Sequence, residues 1–324
     1  MAVAGLIYGP EFHHLDHLAP LCALLEIPLI LTEQKLAIEA EKFYPDVKIF
    51  LWDPNETPEK LVSSFDTIIY STPRVLFDEV FFFAQHLQRR KIRTIWCPHG
   101  NSDKGRNSLF MEALKEEELL LTYGPRIEAF LKEKGVAAPT KRVGNYRLFY
   151  YEKHKKFFDS LLSTSEKPSL LYAPTWQDQE NNSSFPKIWP LLLEAPKAFS
   201  LMVKLHPNLY QQFPEEIGLL RKGGVQLIED FSPIYPLLAK TDLFIGDMSS
   251  IGYDFLSFKR PMILLTRSEL TKAGRYVPPK EYSRLFAICK EELEKPPPSN
   301  TLYEETFDVK RLDISAFSSL NFAL

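Results

Sequence analysis

An α/β fold made of two doubly wound parallel sheets is the architecture the sequence predicts, and three observations predict it. Short apolar runs alternate with amphipathic or turn-rich segments along most of the chain, the pattern of β-α units with helices on both faces of a sheet. At 324 residues the chain is too long for one typical core and suits two domains of ~150 residues. The third observation is the unit at residues 241–265. There an apolar strand ends at Gly246-Asp247, Ser249 and Ser250 stand where a helix needs capping, and Met262 begins a parallel strand after Pro261. Such a unit turns free N–H groups and a positive helix end toward an anion.

From the start of the chain, residues 3–8 read as a buried strand, and Gly9-Pro10 turns it into a helix whose core stripe is Leu15, Leu18, Cys22 and Leu25. The first turn of that helix carries His13, His14, Asp16 and His17. His13 and His17, at i and i+4, have metal-ligand spacing, contact a substrate, or sit as plain capping histidines; no third ligand is evident and no metal is expected. Further strands are expected at 29–32, 47–50, 67–70, 93–97, 119–122 and 141–143. Residues 77–90 read as a helix with Phe77, Val80, Phe81 and Ala84 inward. Its basic end, Arg89-Arg90-Lys91, is either a solvated cap or a peripheral membrane contact. A charged helix at 150–165 runs into a Ser/Thr-rich joint at 163–168, the expected domain boundary. A second sheet then follows with strands at 169–172, 201–204, 225–228, 243–245 and 262–265. Pro296-Pro297-Pro298 opens a tail whose residues 314–324 can pack on either domain.

Composition narrows the function classes. The net charge of −3 carries no nucleic-acid footprint. Cys22, Cys97 and Cys289 are odd in number and lack metal-ligand spacing, so they read as reduced thiols of a cytoplasmic protein. The first residues lack a basic n-region and are broken by Gly9-Pro10, so neither a signal peptide nor a membrane span is expected.

Four clusters stand at strand ends, where open α/β sheets hold ligands. In the first, His99 leaves a strand into a Gly-bounded loop with Asn101, Asp103 and Lys104, a placement that suits a general base but also a structural loop histidine. The second, Gly144-Asn-Tyr-Arg147, offers Arg147 as a phosphate clamp. The third, Tyr172-Ala-Pro-Thr-Trp-Gln-Asp178, offers the Thr175 hydroxyl. In the fourth, Val203-Lys-Leu-His-Pro207, strand alternation puts Lys204 and His206 on one face, both able to donate to a diphosphate. Beyond the Ser249-Ser250 cap, Asp254 lies about one helical turn on, within reach of sugar hydroxyls beside the phosphates. Each of these taken alone can equally be a surface or loop-bracing residue.

Taken in order, His99-Gly100, Gly144-Asn-Tyr-Arg147, Tyr172-Ala-Pro-Thr-Trp, Lys204-Leu-His-Pro207 and Asp247-Met-Ser-Ser-Ile-Gly-Tyr-Asp254 resemble the CDP-glycerol glycerophosphotransferase family of teichoic acid polymerases and primases. The resemblance implies a GT-B-like fold, two Rossmann-like domains facing a cleft, with residues 1–150 on the acceptor side and 151–324 holding the nucleotide donor. It implies transfer of glycerol phosphate, or a similar polyol phosphate, from a CDP-activated donor to an acceptor hydroxyl with release of CMP. His99 would be the base, and His206 would act on the donor phosphates. Arg147, Thr175, Lys204, Asp247, Ser249, Ser250 and Asp254 would complete the donor contacts, and His13, His17, Asn101, Asp103 and Lys104 would lie on the acceptor side. The sequence departs from the family at Pro98-His-Gly-Asn101, usually Trp-His-Gly-Thr, and at Gly144-Asn-Tyr-Arg147, usually Gly-Tyr-Pro-Arg. Both departures bear on the acceptor, which can be a polyol, a glycan or a lipid-linked hydroxyl at the inner face of the cell membrane.

The chemistry supports the same reading without the resemblance. Displacement at phosphorus needs positioning, charge neutralisation and one proton acceptor, and Lys204, His206, Arg147 and a helix N-terminus can supply the positive field. No Asp-x-Asp pair occurs, which favours a reaction independent of metal, and no cofactor is expected. A nucleotide-sugar glycosyltransferase or epimerase of the same fold, and a non-catalytic nucleotide-binding relative, are the alternatives.

Overall fold

The computed structural model describes residues 2–72, 80, 82–101, 114–163, 165–177, 182–298 and 301–308. The strands are β1 (Val3–Ile7), β2 (Leu29–Leu31), β3 (Ile49–Leu51), β4 (Thr67–Tyr70), β5 (Arg93–Trp96), β6 (Leu119–Thr122), β7 (Thr140–Arg142), β8 (Ser169–Ala173), β9 (Ser200–Val203), β10 (Gln226–Leu227), β11 (Leu243–Gly246), β12 (Met262–Leu264) and β13 (Arg275–Tyr276). The described residues divide into two compact units: Asn101 and those of 155–304 form the C-terminal one, and the rest form the N-terminal one, so that the chain returns to the N-terminal unit at Glu304–Glu305.

The N-terminal unit holds one parallel sheet in the order β3-β2-β1-β4-β5-β6-β7. Its central strands β1, β2 and β4 are buried throughout, because helices cover both faces and leave no polar side to alternate with. Ala4, Leu6, Ile30, Ile68 and Tyr70 are all buried in its core. Gly5 sets the approach of the Leu15–Leu25 helix, since a Cβ there would stand 2.3 Å from the Cys22 sulfur. The chain winds outward from β1 to β3 and then resumes on the other side with β4, so the sheet has a switch point between β1 and β4.

The C-terminal unit repeats this winding as β10-β9-β8-β11-β12-β13, again fully parallel, with its switch point between β8 and β11. Gly246 closes β11 beside Ala173: a Cβ at Gly246 would meet the Ala173 carbonyl at 2.9 Å and the Phe244 ring at 2.5 Å. Two doubly wound, Rossmann-like parallel sheets are thus the architecture, as the sequence predicts.

The differences are local. The charged helix expected over 150–165 is two helices, Tyr146–Lys153 and Lys155–Leu161, separated at His154, where the chain changes unit. Strand β13 was not expected, because Arg275-Tyr276 is too short and polar to form an apolar run. Of the helix expected over 77–90, residues 77–79 and 81 lie outside the described residues. Phe83–Leu87 forms a wider π-type turn, and Phe82 and Leu87 keep 56% and 60% of their surface exposed. Among the described residues, no helix is long and apolar enough to cross a membrane.

Candidate functional site

At the switch point of the N-terminal sheet, four histidines gather. His13 and His14 form a short turn after β1, His17 sits in the first turn of the Leu15–Leu25 helix, and His99 leaves β5. The His13 ring lies 4.1 Å from that of His14 and 5.9 Å from that of His99, and the His14 and His99 rings meet edge-on at 5.2 Å. His14 and His17 are 3% and 5% exposed, so burial holds both imidazoles far below their usual pKa. Burial also lowers His99 to about 4, with the nearby His13 adding to the shift and a hydrogen bond at the Ser71 backbone opposing it. His13 is lowered to about 4 for the same reason, a shift that solvent softens because 35% of the side chain is exposed. All four are therefore neutral at pH 7, the form in which an imidazole accepts a proton.

The hydrogen bonds around the cluster determine one tautomer. Tyr123 donates its hydroxyl proton to the Pro98 carbonyl at 2.9 Å, so its 2.9 Å contact with His17 Nδ1 requires the histidine to donate. His14 Nδ1 stands 2.8 Å from Ser71 Oγ, at the end of β4. Tyr146 donates to the His17 carbonyl at 3.1 Å and lies 3.2 Å from Cys97 Sγ.

Of the residues expected on this side, the structure brings His13, His17 and His99 together, whereas Asn101, which is buried, belongs to the C-terminal unit. Asp103 and Lys104 lie outside the described residues. Arg147, expected among the donor contacts, belongs to this N-terminal unit. It is 4% exposed, ion-paired with the Asp16 carboxylate, and donates from Nε to the Asp16 carbonyl at 3.0 Å. A guanidinium buried in such a pair braces the Tyr146–Lys153 helix against the Leu15–Leu25 helix.

At the switch point of the C-terminal sheet the expected residues fall into two roles. Asp247, wholly buried, accepts from the backbone N–H groups of Thr175 at 3.2 Å and Ser184 at 3.0 Å. It thus ties the ends of the loop after β8 to the end of β11, and buried Thr175 is held by it and by Ser183, which donates to its carbonyl at 2.6 Å. Asp254 is likewise buried and accepts from the Tyr235 hydroxyl at 3.2 Å.

Lys204, His206, Ser249 and Ser250 are only half-buried. The strand-alternation argument does not place Lys204 and His206, since β9 ends at Val203. Lys204 instead continues the ladder by one backbone bond to Tyr172 and sends its ammonium to the Phe231 carbonyl at 2.8 Å. His206 caps the Pro207–Gln212 helix, where its Nδ1 accepts from Asn208 N–H at 3.2 Å. In the neutral ring this leaves the proton on Nε2, which makes that edge a donor. The ring lies 6.1 Å from Trp176. Ser249 occupies the N-cap of the Ser250–Phe255 helix in extended backbone, and its side chain makes no capping bond, so its hydroxyl is not committed to the helix.

His14, Ser71, Tyr123 and Tyr146 were not singled out from the sequence as site residues. The pair after β4, Ser71-Thr72, carried a usable signal, because it follows a strand at the switch point of the sheet.

Residues 149–271 match the sequence family described as CDP-glycerol:poly(glycerophosphate) glycerophosphotransferase. The teichoic acid glycerol-phosphate primase of Bacillus subtilis (strain 168) is 30% identical over 121 residues, which span 36% of this chain and 30% of the primase. The primase of Bacillus spizizenii (strain ATCC 23059 / NRRL B-14472 / W23) is 32% identical over 106 residues, 32% of this chain and 26% of that protein. The matched segment thus spans less than a third of these relatives. Among solved structures, a variant of the wall teichoic acid polymerase TagF soaked with CDPG aligns with a TM-score of 0.64 at 12% identity, covering 98% of this chain and 86% of that one. The UDP-GlcNAc 2-epimerase of Methanocaldococcus jannaschii aligns with a TM-score of 0.60 at 15% identity over the whole of both chains. At these identities the two structures share the fold.

Proposed function

We propose, from the match of residues 149–271 to the CDP-glycerol glycerophosphotransferase family, that this chain moves glycerol phosphate or a similar polyol phosphate from a CDP-activated donor to an acceptor hydroxyl, releasing CMP. The observation that carries the reading is the convergence of the family segment with the C-terminal switch point. There Lys204, the Nε2 edge of His206 and the hydroxyls of Ser249 and Ser250 lie on the strand-end loops of one sheet, and none of the four is buried. In this reading the four groups hold the donor diphosphate and offset the charge that develops on the leaving CMP. Asp247 positions the loop bearing Thr175, and Asp254, oriented by Tyr235, receives a hydroxyl of the donor. Arg147 stays with Asp16 as a brace.

His99 takes the proton of the acceptor hydroxyl as it attacks phosphorus. Its neutral state at pH 7 suits that role. His13 and His17, whose rings share its cluster, are read as acceptor-side residues. The acceptor is a polyol, a glycan or a lipid-linked hydroxyl, and the cytoplasm, at the inner face of the membrane when the acceptor is lipid-linked, is the compartment that supplies it. Exposed Phe82 and Leu87 next to Arg89 support such peripheral contact. The test is CMP release from CDP-glycerol in the presence of short polyol and glycan acceptors, with UDP-sugars in parallel. Turnover of CDP-glycerol alone supports the transferase, whereas turnover of a UDP-sugar alone contradicts it.

A further inference from the structure

We infer that the segment from Glu305 to Asp308, some two hundred residues on from the candidate base, is a positioning element for the His99 loop and acts through Tyr123. After the Thr301–Thr306 helix the chain lies against the N-terminal unit. Asp308 N–H donates to the Tyr123 carbonyl at 3.1 Å, and the Asp308 carboxylate stands 3.5 Å from Arg142. Phe307, 1% exposed, sets its ring edge-on to Tyr123 at 5.8 Å. Gly124 permits the approach, since a Cβ there would come within 2.6 Å of the Thr306 carbonyl.

Tyr123 is also stacked on Tyr146 at 5.9 Å, so the ring packs against two aromatic neighbours. Its hydroxyl is the point of action. It donates to the carbonyl of Pro98, and a planar peptide ties that carbonyl directly to the Cα of His99. The same oxygen accepts from His17 Nδ1, whose ring is part of the histidine cluster. A phenylalanine would fill this volume equally well. A tyrosine with both hydrogen-bonding capacities engaged fixes a carbonyl as well as filling space.

The functional part of this inference rests on His99 as the proposed base, and the experiment separates the two. Phe307→Leu retains apolar volume and loses the edge-to-face contact, while Tyr123→Phe removes only the hydroxyl. Both single variants and the double variant are compared with the unmodified chain for CMP release, donor KM, melting temperature and histidine ring NMR signals. Each single change should lower kcat by ~10- to 10²-fold, as a displaced catalytic group does, with donor KM near its starting value and melting temperature lowered only by the few degrees that a lost buried contact costs. The double variant should be no slower than Tyr123→Phe, because Phe307 acts through that hydroxyl. His99 and His17 signals should move in both single variants while His206 stays in place. Losses that multiply in the double variant, an unchanged kcat in a chain that releases CMP, or an unmoved His99 signal in Phe307→Leu would each overturn the inference. If the unmodified chain releases no CMP, the transferase reading falls and the NMR comparison still decides the positioning role. Should Phe307→Leu fail to fold, Phe307→Met takes its place.

Discussion

Acidification should loosen the N-terminal unit through two buried histidines, and the size of the effect follows from their burial. His14 and His17 fold as neutral rings with pKa values held well below 6.5 by desolvation, whereas in the unfolded chain they titrate near that value. Their contribution to stability is therefore complete above about pH 6.5 and is lost as pH falls toward the folded values. At pH 5 the unfolded ring is almost fully protonated and the folded one is not, which costs about 2 kcal/mol for each histidine. The pair together amounts to about 4 kcal/mol, a large part of the ~5–15 kcal/mol that holds a typical domain. Urea denaturation at pH 7.5 and pH 5, followed by far-UV circular dichroism, measures it in the unmodified chain and in His14→Asn/His17→Asn. The stability lost between the two pH values should be smaller in the double variant by about 4 kcal/mol, although its absolute stability is lower at both. Equal losses in the two proteins would refute the reasoning, since every other titrating group is common to both.

Other outcomes follow from the same geometry. Removing the His206 ring or the Lys204 ammonium should weaken CDP-glycerol binding by ~1.5–3 kcal/mol, read by isothermal titration, while His99→Ala should keep donor affinity and melting temperature and lose ~10²- to 10⁴-fold in CMP release. Normal turnover by His99→Ala would remove it as the base. Arg147→Ala strands the buried Asp16 carboxylate and should destabilise the N-terminal unit by ~3–5 kcal/mol in urea titrations without changing donor affinity. Gly246→Ala forces a Cβ to within 2.9 Å of the Ala173 carbonyl and should cost ~1–3 kcal/mol in the C-terminal unit, visible as a lower denaturation midpoint.

The strands were legible because burial on both faces leaves a continuous apolar run: Thr67–Tyr70 and Leu119–Thr122 were expected residue for residue. Strand β13 was not, because an edge strand of two polar residues carries no such run. The positions of Lys204, His206 and Ser249 beyond strand ends were legible, because they depend on local rules. The roles of Asp247 and Arg147 were not, since both depend on partners far along the chain. Asp247 serves Ser184, 63 residues away, and Arg147 pairs with Asp16 across 131 residues. Tyr123 was overlooked for the same reason, its contact with His17 spanning 106 residues. A sequence shows that an aromatic is buried; it does not show which carbonyl its hydroxyl finds.

The most direct test of the central claim is equilibrium binding of CDP-glycerol and UDP-glucose to the unmodified chain and to His206→Ala. If residues 149–271 form a CDP-glycerol donor site, CDP-glycerol binds the unmodified chain more tightly than UDP-glucose, and His206→Ala weakens it by ~10- to 10²-fold while the fold stays intact. Tighter binding of UDP-glucose, or CDP-glycerol affinity that ignores the loss of His206, would contradict it.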